Sequence, residues 1–228
     1  WSSDVCSSDL AYYGMPDSLV APDGTPVNAI RGYLDMSARL ISMYRPSRLV
    51  ACLDGDWRPT WRVELFPEYK ANRGIRRVTN WDMFEDQKEE SDAITNQIVR
   101  LIDYLKCIPV DLLQVDKVEA DDVIGYITKK LPKNGTIMSS DRDYLQLINE
   151  KVDVYSPTKK KFYTTKTVID EYACSPTNFL IHKILLGDKG DNVPGVNKLG
   201  EKTLIKLYPE LKDDYPITLD EVLDKAKS

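Results

Sequence analysis

Residues 118–143 read VEADDVIGYITKKLPKNGTIMSSDRD. Within them Ala120, Val123, Ile124, Ile127 and Leu131 recur at helical spacing. That predicts a helix which opens on Glu119, Asp121 and Asp122. A short apolar run, Thr136-Ile137-Met138, follows and delivers the chain to Ser139-Ser140-Asp141-Arg142-Asp143. A helix and then a strand, with carboxylates at the helix start and the strand end, is the repeating unit of an α/β fold.

The same grammar extends outward. Upstream, residues 112–115 read as a strand, and Ile94, Ile98, Leu101, Ile102 and Leu105 mark an amphipathic helix before it. Earlier still, residues 49–53 (LVACL) form a continuous apolar run that ends at Asp54, the pattern of a buried parallel strand. Residues 28–44 are helical, with Ile30, Tyr33, Leu34, Leu40 and Ile41 broadly on one side, and residues 11–27 read as a loop punctuated by proline and glycine. Downstream, residues 152–155 are a further strand. After about Thr165 the chain reads as helical, interrupted by a glycine-rich turn at 187–200. The expected fold is α/β with a mostly parallel sheet, followed by a helical region.

The chain has 228 residues, enough for one ordinary domain or a domain with an appendage, and enough to bury a core without disulfides. No run approaches the eighteen or so apolar residues of a membrane span, which excludes an integral membrane protein of that kind and leaves no membrane partner expected. Four scattered cysteines without a C-x-x-C pair fit reduced thiols and a cytoplasmic location. A single histidine, His182, removes sites that need several, so any catalysis must rest on carboxylates. The net charge of −5 argues mildly against a nucleic-acid partner, unless carboxylates gathered around cations account for it.

Four acidic clusters carry the functional reading. Asp54 follows one strand; Glu119, Asp121 and Asp122 open a helix after another; Asp141 and Asp143 follow a third. Asp188 and Asp191 lie in a Gly-Asp-x-x-Asp-Asn turn. Ligands of open α/β sheets bind beyond the carboxyl ends of the strands, so the first three clusters should converge on one sheet edge. Eight gathered carboxylates need cations, and oxygen-only ligands suit Mg²⁺ or Mn²⁺. Two such ions are a standard device for hydrolysing a phosphodiester. Taken singly, each residue has a plainer reading: Asp122 as a first-turn helix anion, Asp141-x-Asp143 as a cap or turn.

Residues 187–206 (GDKGDNVPGVNKLGEKTLIK) place Gly195 in one turn and Gly200, Lys202 and Thr203 at the start of a helix, with Lys198 and Lys206 adding charge. Such an arrangement can hold nucleic acid by its phosphates without reading sequence; an ordinary helix C-cap followed by an N-cap is the alternative. Residues 57–81 interleave Arg58, Arg62, Lys70, Arg73, Arg76 and Arg77 with Trp57, Trp61, Phe66, Tyr69 and Trp81. That composition suits a single-strand groove, with Tyr69, Lys70 and Arg73 foremost; the alternative is a solvated charged face. Lys159, Lys160 and Lys161 read as a solvated turn.

The segments AYYGMP, CLDGD, ELFPEYKANR, VEADDVIGY, SSDRDYLQL and LLGDKGDNVPGVNKLGEKT, in this order, resemble the 5′→3′ exonuclease and flap-endonuclease family, which includes the 5′-nuclease domain of bacterial DNA polymerase I and the RNase H of tailed phages. The resemblance runs from Ala11 to about Leu211. It implies a PIN-like α/β core over residues 11–165 and a helix–three-turn–helix DNA-binding region over 166–228. It implies metal ligands at Asp54, Glu119, Asp121, Asp122, Asp141, Asp143, Asp188 and Asp191, holding two Mg²⁺ ions, and an arch in which Tyr69, Lys70 and Arg73 steer the 5′ strand and contact the scissile phosphate. It also implies a K⁺ ion in the clamp near residues 193–199. The substrates implied are DNA with a 5′ end or flap and RNA–DNA hybrids. The cell would be a bacterium or a phage-infected host, the chain a monomer, with a sliding clamp or single-strand-binding protein as replication partners.

Residues 1–10 (WSSDVCSSDL) lack an apolar period and translate residue for residue from a sequencing adapter, so they are expected to be an artefact in place of the native start. The family opens with a strand that ends in Asp, which alignment would put at Ser3, and its members usually continue with further helices; a gene fragment cut at both ends is therefore expected. Two rival functions follow: a DNA-binding fragment that lacks catalysis because the first-strand Asp is missing, and a phosphatase of the aspartyl-phosphate class suggested by the D-x-D motif.

Overall fold

The computed structural model describes residues 15–16, 18–55, 60–71, 83–130 and 134–227. The chain divides into two compact units, one from residues 1–59 and 75–124, the other from 60–74 and 125–228. Among the described residues no helix is long and apolar enough to cross a membrane.

In the first unit, helix α1 (Asn28–Tyr44) leads to strand β1 (Val50–Leu53). The helix ends where Arg45 turns left-handed (φ 44°) and its N–H closes on the Ile41 carbonyl, with Pro46 unable to continue it. Helix α2 (Thr60–Leu65) belongs to the second unit, and the first resumes with α3 (Gln87–Leu105). Asp86 caps α3 by accepting from the Glu89 N–H at 2.8 Å. Strand β2 (Asp111–Gln114) then pairs parallel with β1, from Val50 opposite Asp111 to Leu53 opposite Gln114. Ile30 and Tyr33 of α1, Ala51 of β1 and Leu101 and Leu105 of α3 form the core. The first-turn N–H of Ala29 has no cap from Val27; buried Gln97 of α3 accepts it at 2.9 Å and donates to Asn28 Oδ1 at 3.0 Å. One amide thus satisfies two buried polar groups and fixes the α1–α3 pairing.

Helix α4 (Ala120–Lys130) carries the chain across the division between units. Strand β3 (Gly135–Met138) follows, then a 3₁₀ turn at Arg142–Leu147 and strands β4 (Val152–Ser156) and β5 (Lys161–Tyr163). β3 and β4 are parallel; β4 and β5 are an antiparallel hairpin. Helix α5 (Thr165–Tyr172) opens with a Thr164–Thr167 capping box, and α6 (Phe179–Leu186) follows a short 3₁₀ turn. Two-residue strands β6 (Gly187–Asp188) and β7 (Val193–Pro194) bridge the acidic turn, and α7 (Glu201–Leu207), a 3₁₀ turn at Pro209–Lys212 and α8 (Leu219–Lys227) end the described chain. Tyr144, Leu145, Ile137, Val154, Val168 and Phe179 are among the buried side chains. Buried Asn178 donates to the carbonyls of Asp213 and Tyr215 and accepts from the Ile217 N–H at 2.8 Å, fastening the 3₁₀ turn before α6 to the segment before α8.

Two expectations change. The described strands do not form a single mostly parallel sheet: β1–β2 and β3–β4–β5 are separate sheets, and β5 is antiparallel. β5 has only three residues, too few for alternation to show in sequence. The turn over Lys159–Lys161 exists, with Lys160 left-handed at φ 50°, but its lysines are not merely solvated. Lys159 and Lys161 both pair with Glu171 of α5, at 2.8 and 2.6 Å. The Tyr163 hydroxyl donates to the same carboxylate.

Candidate metal centre and nucleic-acid interface

In the second unit, Asp143, Asp188 and Asp191 come together, each half-buried, with a carboxylate oxygen from each lying within 4.8 Å of the others. Among the described residues they are the one group of three such side chains that could share an ion. Asp143 comes from the 3₁₀ turn after β3. Asp141 caps that turn, its Oδ1 accepting from the Asp143 N–H at 2.9 Å, so the plainer reading of D-x-D is realised in Asp141 while Asp143 faces the cluster. Asp188 folds its own turn, accepting from the N–H groups of Gly190 (2.8 Å) and Asp191 (3.2 Å).

A residue that sequence reading passed over sits here. Lys183 of α6 donates to Asp143 Oδ1 and lies 3.0 Å from Asp188 Oδ2. Its signal was a lone lysine in the otherwise apolar stretch FLIHKILL, apart from His182. Burial alone would favour the neutral amine, but Asp143 and Asp188 outweigh it and hold the lysine charged, its pKa raised. Burial and the nearby Asp141 push the Asp143 carboxyl above the ordinary range, with Lys183 pulling against them. Burial also acts to raise Asp188, but Lys183 and the turn N–H groups prevail and lower it. An all-oxygen set of three carboxylates fits a hard divalent cation, and in the chain by itself an ammonium balances part of the charge.

Of the first unit's candidates, Asp54 stands exposed after β1 and accepts the Ala120 N–H at 2.8 Å, capping α4 from across the chain. The chain can turn at once because Gly55 approaches closely: a Cβ there would lie 2.2 Å from the Val115 carbonyl oxygen. Glu119 is buried, while Asp121 and Asp122 are half-buried in the first turn of α4, where carboxylates are favoured.

The candidate strand groove is described in part. Arg58, Arg73, Arg76 and Arg77 lie outside the described residues. Arg62, Tyr69 and Lys70 are half-buried at and after the end of α2. The Arg62 guanidinium sits 4.2 Å over the Trp61 ring and the Lys70 ammonium 4.8 Å from the Tyr69 ring. Lys70 is left-handed (φ 54°); its N–H donates to the Asp191 carbonyl at 3.0 Å, and the Asn192 side chain donates to the Glu68 carbonyl at 3.0 Å. Asn192 ends the Gly-Asp-x-x-Asp-Asn pattern, and no role of its own was expected for it.

In the glycine turn, Lys198, Gly200, Lys202 and Thr203 are exposed. Gly195 was expected to let backbone approach a phosphate, but its close approach is to the protein itself. A Cβ on Gly195 would lie 2.2 Å from the Leu186 carbonyl carbon, against Gly187 at φ 73°. A Cβ on Gly200 would meet nothing within 4 Å. His182 is buried against Phe179 with its Nε2 lacking a hydrogen bond, 4.0 Å from Glu201; burial keeps its pKa below the ordinary value.

Comparison with known proteins shows the family. A family profile described as "5'-3' exonuclease, N-terminal resolvase-like domain" matches residues 10–173. A 5'-3' exonuclease of Streptomyces coelicolor is 40% identical over 209 residues, 89% of this chain and 68% of the relative. One of Mycobacterium tuberculosis is 34% identical over 86% of this chain and 65% of its own length, so the chain spans about two thirds of these relatives. Among solved structures, a bacteriophage T5 flap endonuclease complexed with DNA and metal ions superimposes over 98% of this chain and 77% of that one, with TM-score 0.78 at 21% identity. The matched profile and the 40% identity carry one conclusion: the chain belongs to the 5′-3′ exonuclease family.

Proposed function

We propose that this chain is a metal-dependent, structure-specific 5′→3′ exonuclease and flap endonuclease. It hydrolyses phosphodiester bonds near a 5′ end or flap junction in DNA, or in RNA primers paired to DNA. The observation that carries this reading is the convergence of Asp143, Asp188 and Asp191 in a chain of the exonuclease family. These three carboxylates would hold one divalent ion, with Mg²⁺ preferred and Mn²⁺ a substitute; Asp54, Glu119, Asp121, Asp122 and Asp141 are proposed as the remaining ligands of a two-ion centre. Bound divalent ions would supply activation of the attacking water and charge neutralisation on the leaving oxygen.

The chain's own residues bind and orient. Lys70 offers a cation to the phosphate of the 5′ strand and Tyr69 a ring for stacking, with Arg73 and the other arginines of residues 57–81 alongside. Residues 166–228 act as a helix–three-turn–helix region that holds duplex through phosphates at its 187–206 turn, with Lys198, Gly200, Lys202 and Thr203 at its surface and a K⁺ site near residues 193–199. Residues 11–165 are the catalytic domain and 166–228 the duplex-binding region, which also lends Asp188 and Asp191 to the metal centre. The chain works as a cytoplasmic monomer beside a sliding clamp or single-strand-binding protein.

The test is cleavage of a 5′-labelled flap duplex in Mg²⁺, with EDTA as control. Cleavage near the junction is expected. Asp143→Asn and Asp188→Asn should each reduce turnover by more than the ~10–100-fold that outer-shell metal residues cost, with duplex binding retained. Equal loss of turnover and binding in a folded variant would refute the ligand assignment. Duplex binding without cleavage in Mg²⁺ or Mn²⁺ would make the chain a non-catalytic binder.

A further inference from the structure

Two segments far apart in sequence meet in the second unit. One is the turn after α2, which carries Tyr69 and Lys70; the other is the acidic turn between β6 and β7. Two hydrogen bonds join them: Lys70 N–H to the Asp191 carbonyl and Asn192 Nδ2–H to the Glu68 carbonyl, each 3.0 Å. Asp191 therefore serves both segments, its carboxylate in the three-aspartate cluster and its carbonyl on the Lys70 amide. Both residues at the junction are left-handed, Lys70 at φ 54° and Asn192 at φ 60°. Asn adopts that conformation readily and long side chains seldom do. The junction holds Lys70 in an uncommon backbone state that sets where its side chain starts.

We propose that Asn192 is a positioning residue, whose side-chain amide couples the carboxylate cluster to the placement of Tyr69 and Lys70. The inference rests on the nuclease reading above and deepens it. An ion that fixes the Asp188–Asp191 turn also fixes the carbonyl on which the Lys70 amide hangs, and the Asn192 amide makes the two turns move as one. By linkage, order gained in the Lys70 turn when an ion binds is returned as tighter ion binding. One exposed hydrogen bond carries a factor of a few up to about tenfold.

Asn192→Gly is the informative variant, because glycine keeps the left-handed backbone and removes only the amide. Asn192→Asp is the second: it keeps the shape and the backbone tolerance without the donor. Three quantities are measured on the full chain: Mn²⁺ affinity by calorimetry, hydrogen exchange at the Lys70 amide with and without Mg²⁺, and kcat and KM on a flap duplex. In the wild type, Mg²⁺ should slow Lys70 exchange by about tenfold. Both variants should still bind Mn²⁺, within about tenfold of wild type. Their Lys70 exchange should respond less to the ion than in the wild type, because only the Lys70–Asp191 bond then joins the turns, and their kcat should fall more than their KM changes. Mn²⁺ binding with an unchanged exchange response in both variants would overturn the coupling and leave the nuclease reading intact. Failure of the wild-type chain to bind Mn²⁺ at all would overturn the metal site itself and this inference with it.

Discussion

Replacing Lys183 with methionine removes an ammonium from among three carboxylates while keeping much of the aliphatic stem. In the chain without divalent ions that ammonium is paired with Asp143 and lies 3.0 Å from Asp188. Hydrogen bonds between charged groups are each worth about 1.5–3 kcal/mol. The lysine side chain is 21% exposed and each aspartate 33% exposed, which brings the pairs toward the lower end. With the carboxylates then facing one another uncompensated, the expected loss of stability is about 2–3 kcal/mol in EDTA. A saturating divalent ion supplies the missing positive charge, so in Mg²⁺ the deficit should shrink below about 1 kcal/mol. The ion no longer competes with a like charge, and its affinity should rise on the order of tenfold. Urea unfolding followed by circular dichroism, in EDTA and across a Mg²⁺ series, measures the first effect; calorimetric titration measures the second. The same deficit with and without Mg²⁺, or weaker ion binding by the variant, would refute the view that Lys183 stands in for a cation.

Two further outcomes follow from the geometry. Burial works to raise Glu171, but Lys159, Lys161 and Tyr163 outweigh it and hold the carboxyl at about 2 against an ordinary 4.5. A depressed carboxyl stabilises the fold above its unfolded pKa and loses that contribution as the pH falls toward 2. The full shift would be worth about 3 kcal/mol, and screening by solvent leaves about 1 kcal/mol. The stability gap between wild type and Glu171→Gln should thus be about 1 kcal/mol at pH 6 and close as the pH drops from 4.5 toward 2; a gap independent of pH in urea titrations would contradict the assignment. Gly195→Ala should cost about 1–3 kcal/mol in thermal unfolding, since its Cβ would overlap the Leu186 backbone. Gly200→Ala should stay within about 0.5 kcal/mol of wild type while weakening duplex binding; equal destabilisation by both would erase the distinction between a packing glycine and a phosphate-facing one.

Much of the architecture was legible because helical and strand periodicity is written in neighbouring residues. Ile94, Leu101 and Leu105 repeat within a few turns and do lie on the buried face of α3. LVACL announced β1, and Asp54 follows it directly. The ordered motifs pointed to the 5′-3′ exonuclease family, and the matched profile and relatives agree. Eight carboxylates could be proposed from their places after strands and at helix starts. Which of them share a space could not be read, because spacing along the chain says little about distance across it.

What tertiary structure alone decided are contacts between segments distant in sequence. Lys183 reaches Asp143 over 40 residues and Asn192 reaches Glu68 over 124. Gly195 is needed because the Leu186 backbone passes beside it, and Lys159 and Lys161 are paired because α5 brings Glu171 to the β4–β5 hairpin. The sequence by itself determined the longer helices and strands, the candidate acidic positions and the family. The partners of each charge and the reason for each glycine came from folding, because an ion pair or a close approach depends on which surfaces burial presses together.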